Sequence, residues 1–409
     1  MDSDTHSGPE LDYTHTDTHG KSEFDVNAEA DASGDEAEHK DAFSGAAGSP
    51  DERFRTEKRA PSSGSTSTQP KLEGDLYVHS VLDCECDAIV CQFSPDGSLL
   101  AVGLNNGTIK VFSVDTGSVV QALRDSESIL SSLPVTALRF FVSSLSHTLL
   151  LATYASGTVK CWYVWGGELL WEIRELKWTG GWEEGQSQRQ TFSLSVSSSG
   201  EKALTGGSDA AIHLYDLHTH QRLLTCSASS AKTVMDGHRF RVFAVTFHPE
   251  KEKEFISGGW DNTIQFWDTR QQHAVRMLSG PHICGDALEI DPAASQILSG
   301  SWRKDNTLEV WEYGSGRKVC EVPNDPHGQS RIYTCHWLGH DHILAAGSQS
   351  NMLRIVNRHT LLSVSRLLDL PSAIFSSCVC PQGRWMGFIA ATSGNRVFLL
   401  DRKSLQSTR

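Results

Sequence analysis

Apolar and polar residues alternate along most of this chain in short runs that end in turn residues. In one run, ISGGWDNTIQFWD at positions 256–268, apolar strand residues flank Gly258, Gly259, Asp261 and Asn262. The two-residue alternation predicts β-strands, and glycine, aspartate and asparagine between them predict a tight turn. Because a single hairpin is not stable in water, we expect the chain to repeat this unit and to pack the copies together.

Seven copies of the hairpin follow one another, and each ends in an aromatic or aliphatic marker residue. Each copy also has an apolar strand upstream and a middle strand that ends in small residues, which predicts four strands per copy. The last copy stops after its third strand, whereas a strand-like run without partners, LYVHSVL at positions 76–82, precedes the first copy. Successive markers lie 44–53 residues apart, at Phe112, Trp162, Tyr215, Trp267, Trp311, Val356 and Leu400.

This pattern resembles the WD-repeat β-propeller family over residues 76–405, a period of ~40–45 residues being typical of that family. The resemblance implies an all-β fold, a seven-bladed β-propeller of four-stranded antiparallel blades. An open ring would expose strand edges that pair with other chains, so we expect residues 76–82 to complete the last blade and close the ring.

The resemblance also implies a structural role for the polar residues of the fourth copy. In the family, a tryptophan on the third strand, a serine on the second, an aspartate in the turn and a histidine before the first strand form one hydrogen-bonded chain. A buried carboxylate is tolerated only when it is hydrogen-bonded. The Asp-His-Ser set also looks like a hydrolytic triad. In the family, however, these residues have a structural role, so we predict no catalytic residue. The four residues are His238, Ser257, Asp261 and Trp267.

The wide top face of such a propeller is where a partner is expected to bind. In the family, this face is lined by the residue before the turn aspartate and by positions at the start of the first strand. Aromatic and arginine side chains together on one rim are typical of interface hot spots. We expect Trp260 to point into solvent, the alternative being that it packs flat on a neighbouring blade. The predicted partner-binding residues are Arg241, Phe243, Trp260, Lys304, Arg331 and Tyr333.

Two further segments allow alternative interpretations of their function. WDTR at positions 267–270 resembles the WDxR box with which some propellers dock onto a cullin-RING ubiquitin ligase adaptor, through Asp268 and Arg270 on the bottom face. The fold already explains the tryptophan and aspartate, so this reading depends on Arg270 alone. KWTGGW at positions 177–182 is either a gripping loop on the top face or a cover for a blade edge.

Composition separates the first 73 residues from the rest. Residues 1–73 have few bulky apolar side chains and carry most of the formal net charge of −14, so we predict a disordered acidic tail. The chain lacks the broad basic face that nucleic-acid binding requires. The basic run RFRTEKR at positions 53–59 is either a nuclear import signal or a solvated charge cluster in a linker.

Other classes of site have little support in the sequence. The ten cysteines contain no CxxC pair, which favours free thiols over zinc ligands. No signal peptide and no run of ~20 apolar residues is present, which predicts a protein of the cytoplasm and/or nucleus without membrane insertion. Glu289 and His336 stand isolated on the predicted first strands, and we predict no metal, no cofactor and no enzyme. The expected function is a scaffold or adaptor for protein or peptide partners, a monomeric propeller within a complex.

Overall fold

A computed structural model describes residues 70–142, 147–176, 188–231 and 233–403. In this part of the chain, seven antiparallel sheets follow one another as the blades of a β-propeller. The first strand of each blade contacts the first strands of its two neighbours, and the contact between the seventh blade and the first closes the ring. The predicted fold class is therefore confirmed.

Blades one to four each contain four strands in chain order. Blade one has β3 (Ala88–Phe93), β4 (Leu99–Leu104), β5 (Ile109–Ser113) and β6 (Val119–Leu123). Blade two has β7 (Val135–Val142), β8 (Thr148–Tyr154), β9 (Thr158–Tyr163) and β10 (Glu168–Arg174). Blade three has β11 (Thr191–Val196), β12 (Lys202–Gly207), β13 (Ile212–Asp216) and β14 (Arg222–Cys226). Blade four has β15 (Val242–Phe247), β16 (Glu254–Gly259), β17 (Thr263–Asp268) and β18 (Arg276–Ser279).

The remaining blades include the two strands that come first in the chain. Blade five has β19 (Leu288–Asp291), β20 (Gln296–Gly300), β21 (Leu308–Glu312) and β22 (Lys318–Glu321). Blade six has β23 (Ser330–Leu338), β24 (His342–Gln349), β25 (Leu353–Asn357), β26 (Ser363–Leu368) and the added β1 (Lys71–Glu73). Blade seven has β27 (Ser377–Val379), β28 (Ile389–Ser393), β29 (Arg396–Arg402) and β2 (Leu76–Asp83).

The ring closes through β2, as the sequence predicted. Strand β2 pairs antiparallel with β29, with Leu76 opposite Arg402 and Asp83 opposite Arg396. The Tyr77 hydroxyl also donates a hydrogen bond of 2.6 Å to the Asp401 carboxylate. Closure therefore joins the two ends of the described chain in one sheet.

The boundary of the predicted acidic tail is wrong at its C-terminal end, because residues 71–73 form β1. This strand pairs antiparallel with β26 and makes blade six five-stranded. The chain then turns at Gly74, whose φ of +79° favours glycine and whose missing Cβ would lie 2.2 Å from the Val364 carbonyl oxygen. Residues 1–69 lie outside the described residues, so their disorder stays a prediction.

Apolar clusters fill the spaces between adjacent blades and hold the ring together. The second and third strands are deeply enclosed, and every residue of β4 and of β17 is buried. Full burial of one such aliphatic side chain contributes about 1.5–3 kcal/mol, so each interface is a substantial part of the fold's stability. All ten cysteines are free thiols, and eight of them are buried.

The described residues include one short α-helix between blades one and two, α1 (Ser126–Ser131), which Asp125 caps at its N-terminus. No helix in the described part of the chain has the length and apolar character that a membrane span requires.

Candidate functional site

The four polar residues predicted to interact in blade four do so, and are called the blade-four network below. The Trp267 indole N–H donates to Ser257 Oγ at 2.7 Å, Ser257 Oγ lies 2.7 Å from His238 Nε2, and His238 Nδ1 lies 2.8 Å from the Asp261 carboxylate. Burial raises the pKa of Asp261, but the neighbouring His238 and the hydrogen bonds outweigh burial and hold this pKa below its usual value. Ser257 is 0% exposed, so its hydroxyl is enclosed within the protein.

Blade three contains a different buried cluster, which sequence reasoning missed. The Glu175 carboxylate lies 3.2 Å from Arg189 Nε and 3.1 Å from His213 Nδ1, and it accepts a 2.8 Å hydrogen bond from the Tyr215 hydroxyl. The Arg189 guanidinium also pairs with Asp209 at 3.3 Å. These five residues, called the blade-three cluster, are enclosed around their charges.

Electrostatics in the blade-three cluster favour one charged pair and a neutral imidazole. Burial raises the pKa of Glu175, but the Arg189 charge and the hydrogen bonds outweigh it, so the net shift is downward. Burial and the Arg189 charge lower the pKa of His213. Glu175 and Arg189 flank residues 177–187, so the loop 177–182 singled out in the sequence lies outside the described residues.

Trp260 does not point freely into solvent, so that expectation is wrong. Its side chain is half-buried, and its indole N–H donates to Cys284 Sγ at 3.0 Å. Its ring stacks on Phe243 with centroids 5.4 Å apart. The Arg241 guanidinium lies over the Trp260 ring, 5.0 Å from its centroid. The turn thus places the indole against neighbouring residues.

Three of the other predicted partner-binding residues are buried, which removes them from the exposed surface. Phe243 is 5%, Arg331 4% and Tyr333 7% exposed, since side chains at the start of an inner strand turn in between blades. Arg331 instead stacks on Trp302 at 4.0 Å. Arg241 and Lys304 are exposed, as predicted.

Stacked rings connect these positions around the top of the molecule. Phe192 of blade three stacks on Phe243 at 4.7 Å, and Trp260 lies 6.0 Å from the ring of His282 in the connection to blade five. On the next blades, Tyr333 lies 5.3 Å from Phe375. This packing gives the top face a rigid base, since the rings are held by partners on adjacent blades.

Phe240 is an exposed aromatic side chain at this face, and sequence reasoning missed it. Phe240 is 60% exposed, and it lies in the loop that enters blade four. The Arg239 guanidinium fixes this loop by donating to the carbonyls of Ser229, Ala231 and Val234 at 2.8–3.0 Å. The available signal was a phenylalanine between two arginines in an inter-blade loop. We call Val234, Phe240, Arg241 and Trp260 the top patch.

The sequence suggested that Glu289 and His336 stand isolated, but the two residues contact each other. Glu289 lies 3.3 Å from His336 Nδ1, and His336 Nε2 lies 2.7 Å from the Ser377 carbonyl oxygen on blade seven. Burial lowers the pKa of His336, but the hydrogen bond and charge of Glu289 outweigh it, so this pKa is raised.

A second ion pair spans the centre of the ring. Arg139 on β7 lies 2.5 Å from Asp286, which precedes β19. These strands belong to blades two and five, which are not neighbours, so the ion pair crosses the central channel. Among the described residues, Asp286 thus contacts Arg139 and Glu289 contacts His336, each carboxylate lying beside a basic side chain.

At the bottom face, the Arg270 guanidinium folds back on Asp268. Its Nε donates to Asp268 Oδ1 at 2.8 Å, while the arginine side chain remains 67% exposed. The hydrogen bond from Arg270 lowers the pKa of Asp268 to about 2. The two residues of the WDTR segment thus lie together on an accessible turn.

One group of carboxylates in the described part of the chain converges closely enough to hold a metal ion. Asp125, Glu127 and Glu172 form it. The buried Lys160 ammonium lies 2.6 Å from Asp125, 3.5 Å from Glu127 and 4.0 Å from Glu172, so a protein cation already pairs with this group.

Two family models match parts of the chain. The model described as "WD domain, G-beta repeat" matches residues 229–268, which include all four residues of the blade-four network. The model described as "Anaphase-promoting complex subunit 4 WD40 domain" matches residues 79–143.

Individual proteins are similar over longer stretches. The THO complex subunit 6 homolog of Danio rerio is 28% identical over 46% of this chain and 54% of its own length. A guanine nucleotide-binding protein subunit beta of Arabidopsis thaliana is 26% identical over 65% of this chain and 68% of its own length. The chain thus spans about half the length of the first of these relatives. A chain of the structure titled "Crystal Structure of Mitotic Checkpoint Complex" shares the fold, with a TM-score of 0.64, 18% identity, and coverage of 86% of this chain and 98% of that chain.

Proposed function

Because the chain is a WD-repeat β-propeller, we propose that it is a non-catalytic scaffold or adaptor that binds protein partners through its top patch. One observation carries the proposal. Phe240 is 60% exposed beside Arg241, whose guanidinium stacks on the half-buried Trp260. Aromatic and arginine side chains held in place by packing are the usual energetic centres of protein interfaces.

The similar proteins support this class of function. Two of them are named as subunits, one of a THO complex and one of a guanine nucleotide-binding protein. We propose that this chain likewise acts as a monomeric propeller within a complex, in the cytoplasm and/or nucleus. Partners are proteins or peptides rather than nucleic acid, since the chain carries a net charge of −14.

The absence of catalysis is part of the proposal. Ser257 is enclosed and accepts a hydrogen bond from the Trp267 N–H, and the channel carboxylates of Asp286 and Glu289 each contact a basic side chain, Arg139 and His336 respectively. A nucleophile or general base must reach its substrate, and these groups are committed to contacts within the protein.

Affinity purification of the tagged full-length protein tests the proposal. Phe240→Ala should lose the co-purifying proteins while the melting temperature stays unchanged, because the removed side chain is largely in solvent. Trp165→Ala is the matched control, an equally exposed aromatic (62%) in the turn between β9 and β10 at the opposite face. Retention of every partner by Phe240→Ala would contradict a top-patch interface.

A second candidate function is a substrate receptor of a cullin-RING ubiquitin ligase. The observation that favours it is the accessible pair of Asp268 and Arg270 at the bottom face. Recovery of the ligase adaptor with the wild-type protein, and its loss with Arg270→Ala, would support this candidate. Adaptor recovery that Arg270→Ala does not change would remove it.

A further inference from the structure

We propose that the top patch recognises a short peptide segment in which an acidic side chain neighbours an aromatic or large aliphatic one. This inference rests on the proposed function and adds the chemical class of the partner. It follows from the charge and exposure of the side chains that the patch presents.

Arg241 supplies the charge that an acidic residue would meet. It is exposed, and its guanidinium lies 5.0 Å above the Trp260 ring. Across the residues that the structure describes, no carboxylate lies within ion-pair distance of this guanidinium. The contact with Trp260 holds the guanidinium beside the indole, and the side chain is exposed. An exposed guanidinium can bind a carboxylate with two parallel hydrogen bonds.

The charges around Arg241 are already engaged, so they do not cancel it. The carboxylate of Asp261 is enclosed and contacts His238 at 2.8 Å. Asp236 accepts from the Ser229 amide at 3.0 Å and lies 3.9 Å from Arg239. On the neighbouring blade-five turn, the exposed Lys304 adds a second cation to the top face. The patch is therefore locally basic in a protein whose overall charge is negative.

Phe240 and Val234 supply the apolar part of the surface. They are 60% and 48% exposed, and both belong to the loop that the Arg239 guanidinium fixes through three carbonyl groups. A loop that is already ordered loses little conformational entropy when a partner covers it. An apolar side chain of the partner can therefore pack on Phe240 while the adjacent acidic side chain pairs with Arg241.

Peptide binding to the full-length protein tests the inference. The probes are three fluorescein-labelled peptides flanked by glycines, with the cores EEFEE, KKFKK and EEGEE, and the readout is fluorescence anisotropy. We expect EEFEE to bind at least about tenfold more tightly than either other probe, since loss of the charge contact or of the aromatic anchor each removes a main interaction. Raising the salt concentration should weaken EEFEE binding.

Variants assign the charge to one side chain. Arg241→Ala should weaken EEFEE binding about tenfold, and Arg241→Lys should restore part of it, because lysine keeps the charge without the planar fork. Arg317→Ala is the matched control, since this arginine is 79% exposed on the blade-five bottom turn. The melting temperature of each variant checks its fold.

Equal binding of EEFEE and KKFKK, or EEFEE binding that Arg241→Ala leaves intact, would overturn the inference. The two proposals also fail separately. If Phe240→Ala releases purified partners but EEFEE does not bind, the partner class is wrong and the interface stands. If Phe240→Ala releases nothing and EEFEE does not bind, the top patch is not an interface and both proposals fall.

Discussion

Blades three and four stabilise the same position in a propeller with different chemistry. Blade four uses one carboxylate, Asp261, in a chain of hydrogen bonds that ends at the Trp267 indole. Blade three uses two carboxylates, Glu175 and Asp209, held by the Arg189 guanidinium. What the two blades share is a buried carboxylate that accepts hydrogen bonds from several segments, and the residue types that donate them differ.

The two arrangements also differ in how much stability is lost when one residue is removed. Removal of Asp261 from the blade-four network leaves hydrogen-bond donors unsatisfied, whereas removal of Arg189 leaves the carboxylates of Glu175 and Asp209 in an enclosed site without the guanidinium. An uncompensated buried charge is costlier than a lost hydrogen bond. Blade three should therefore be the more sensitive blade, although it lacks the family's usual residues.

The largest effect is expected from Arg189→Ala. We expect a loss of about 3–5 kcal/mol in the free energy of unfolding, because Glu175 and Asp209 lose their shared cation. Chemical denaturation followed by circular dichroism measures it. A matched control is Arg317→Ala, which removes an arginine with 79% side-chain exposure. A loss below about 1 kcal/mol for Arg189→Ala would mean that blade three tolerates its charges unpaired.

Asp261→Ala should have a smaller effect, about 1–3 kcal/mol, because it removes an acceptor without leaving an unpaired buried charge. The donors that lose it are His238, the backbone amides of Arg239 and Thr263, and the Thr263 hydroxyl. Asp305→Ala is the control, because Asp305 is the acid of the corresponding turn in blade five and is exposed. If both substitutions cost the same, the turn acid matters for its conformation and not for the network.

Trp260→Ala should cost about 1–2 kcal/mol, less than truncation of a fully buried tryptophan because the side chain is half-buried. The loss comes from the stacking on Phe243 and the contact with Cys284. Partner recovery should fall as well. Phe240→Ala separates the two effects, since it should reduce partner recovery at unchanged melting temperature.

The smallest expected effect is that of acidic pH on the stability contribution of Asp261. The pKa of Asp261 is lowered by folding, so this carboxylate contributes stability above the usual aspartate pKa, and the contribution disappears as pH falls through the lowered value. The destabilisation caused by Asp261→Asn should therefore shrink when pH drops below about 4. Denaturation curves of both proteins at several pH values measure this. A difference that grows in acid would contradict the pKa direction.

The sequence predicted the parts of this molecule that repeat. Marker spacing fixed the blade count, the incomplete last copy indicated that β2 closes the ring, and the fourth copy contained every residue of the blade-four network. These features depend on local patterns that recur along the chain, so a single sequence suffices to detect them.

The features that were missed depend on contacts between segments far apart in sequence. Glu175 and Arg189 lie outside the repeated hairpin, and Arg139 and Asp286 are 147 residues apart. The solvent exposure of Trp260 and Phe243 was wrongly predicted because the position of a side chain relative to the next blade has no signature in the hairpin itself. Phe240 was missed for the same reason, since only the fixed loop makes its exposure evident.

The ion pair between Arg139 and Asp286 changes how force passes through the molecule. In a ring held only by contacts between adjacent blades, a displacement of blade five reaches blade two through the blades between them. A tie across the diameter gives a direct path of 2.5 Å between a side chain of each blade. Replacing either residue would remove this direct contact and leave only the paths that run through the intervening blades.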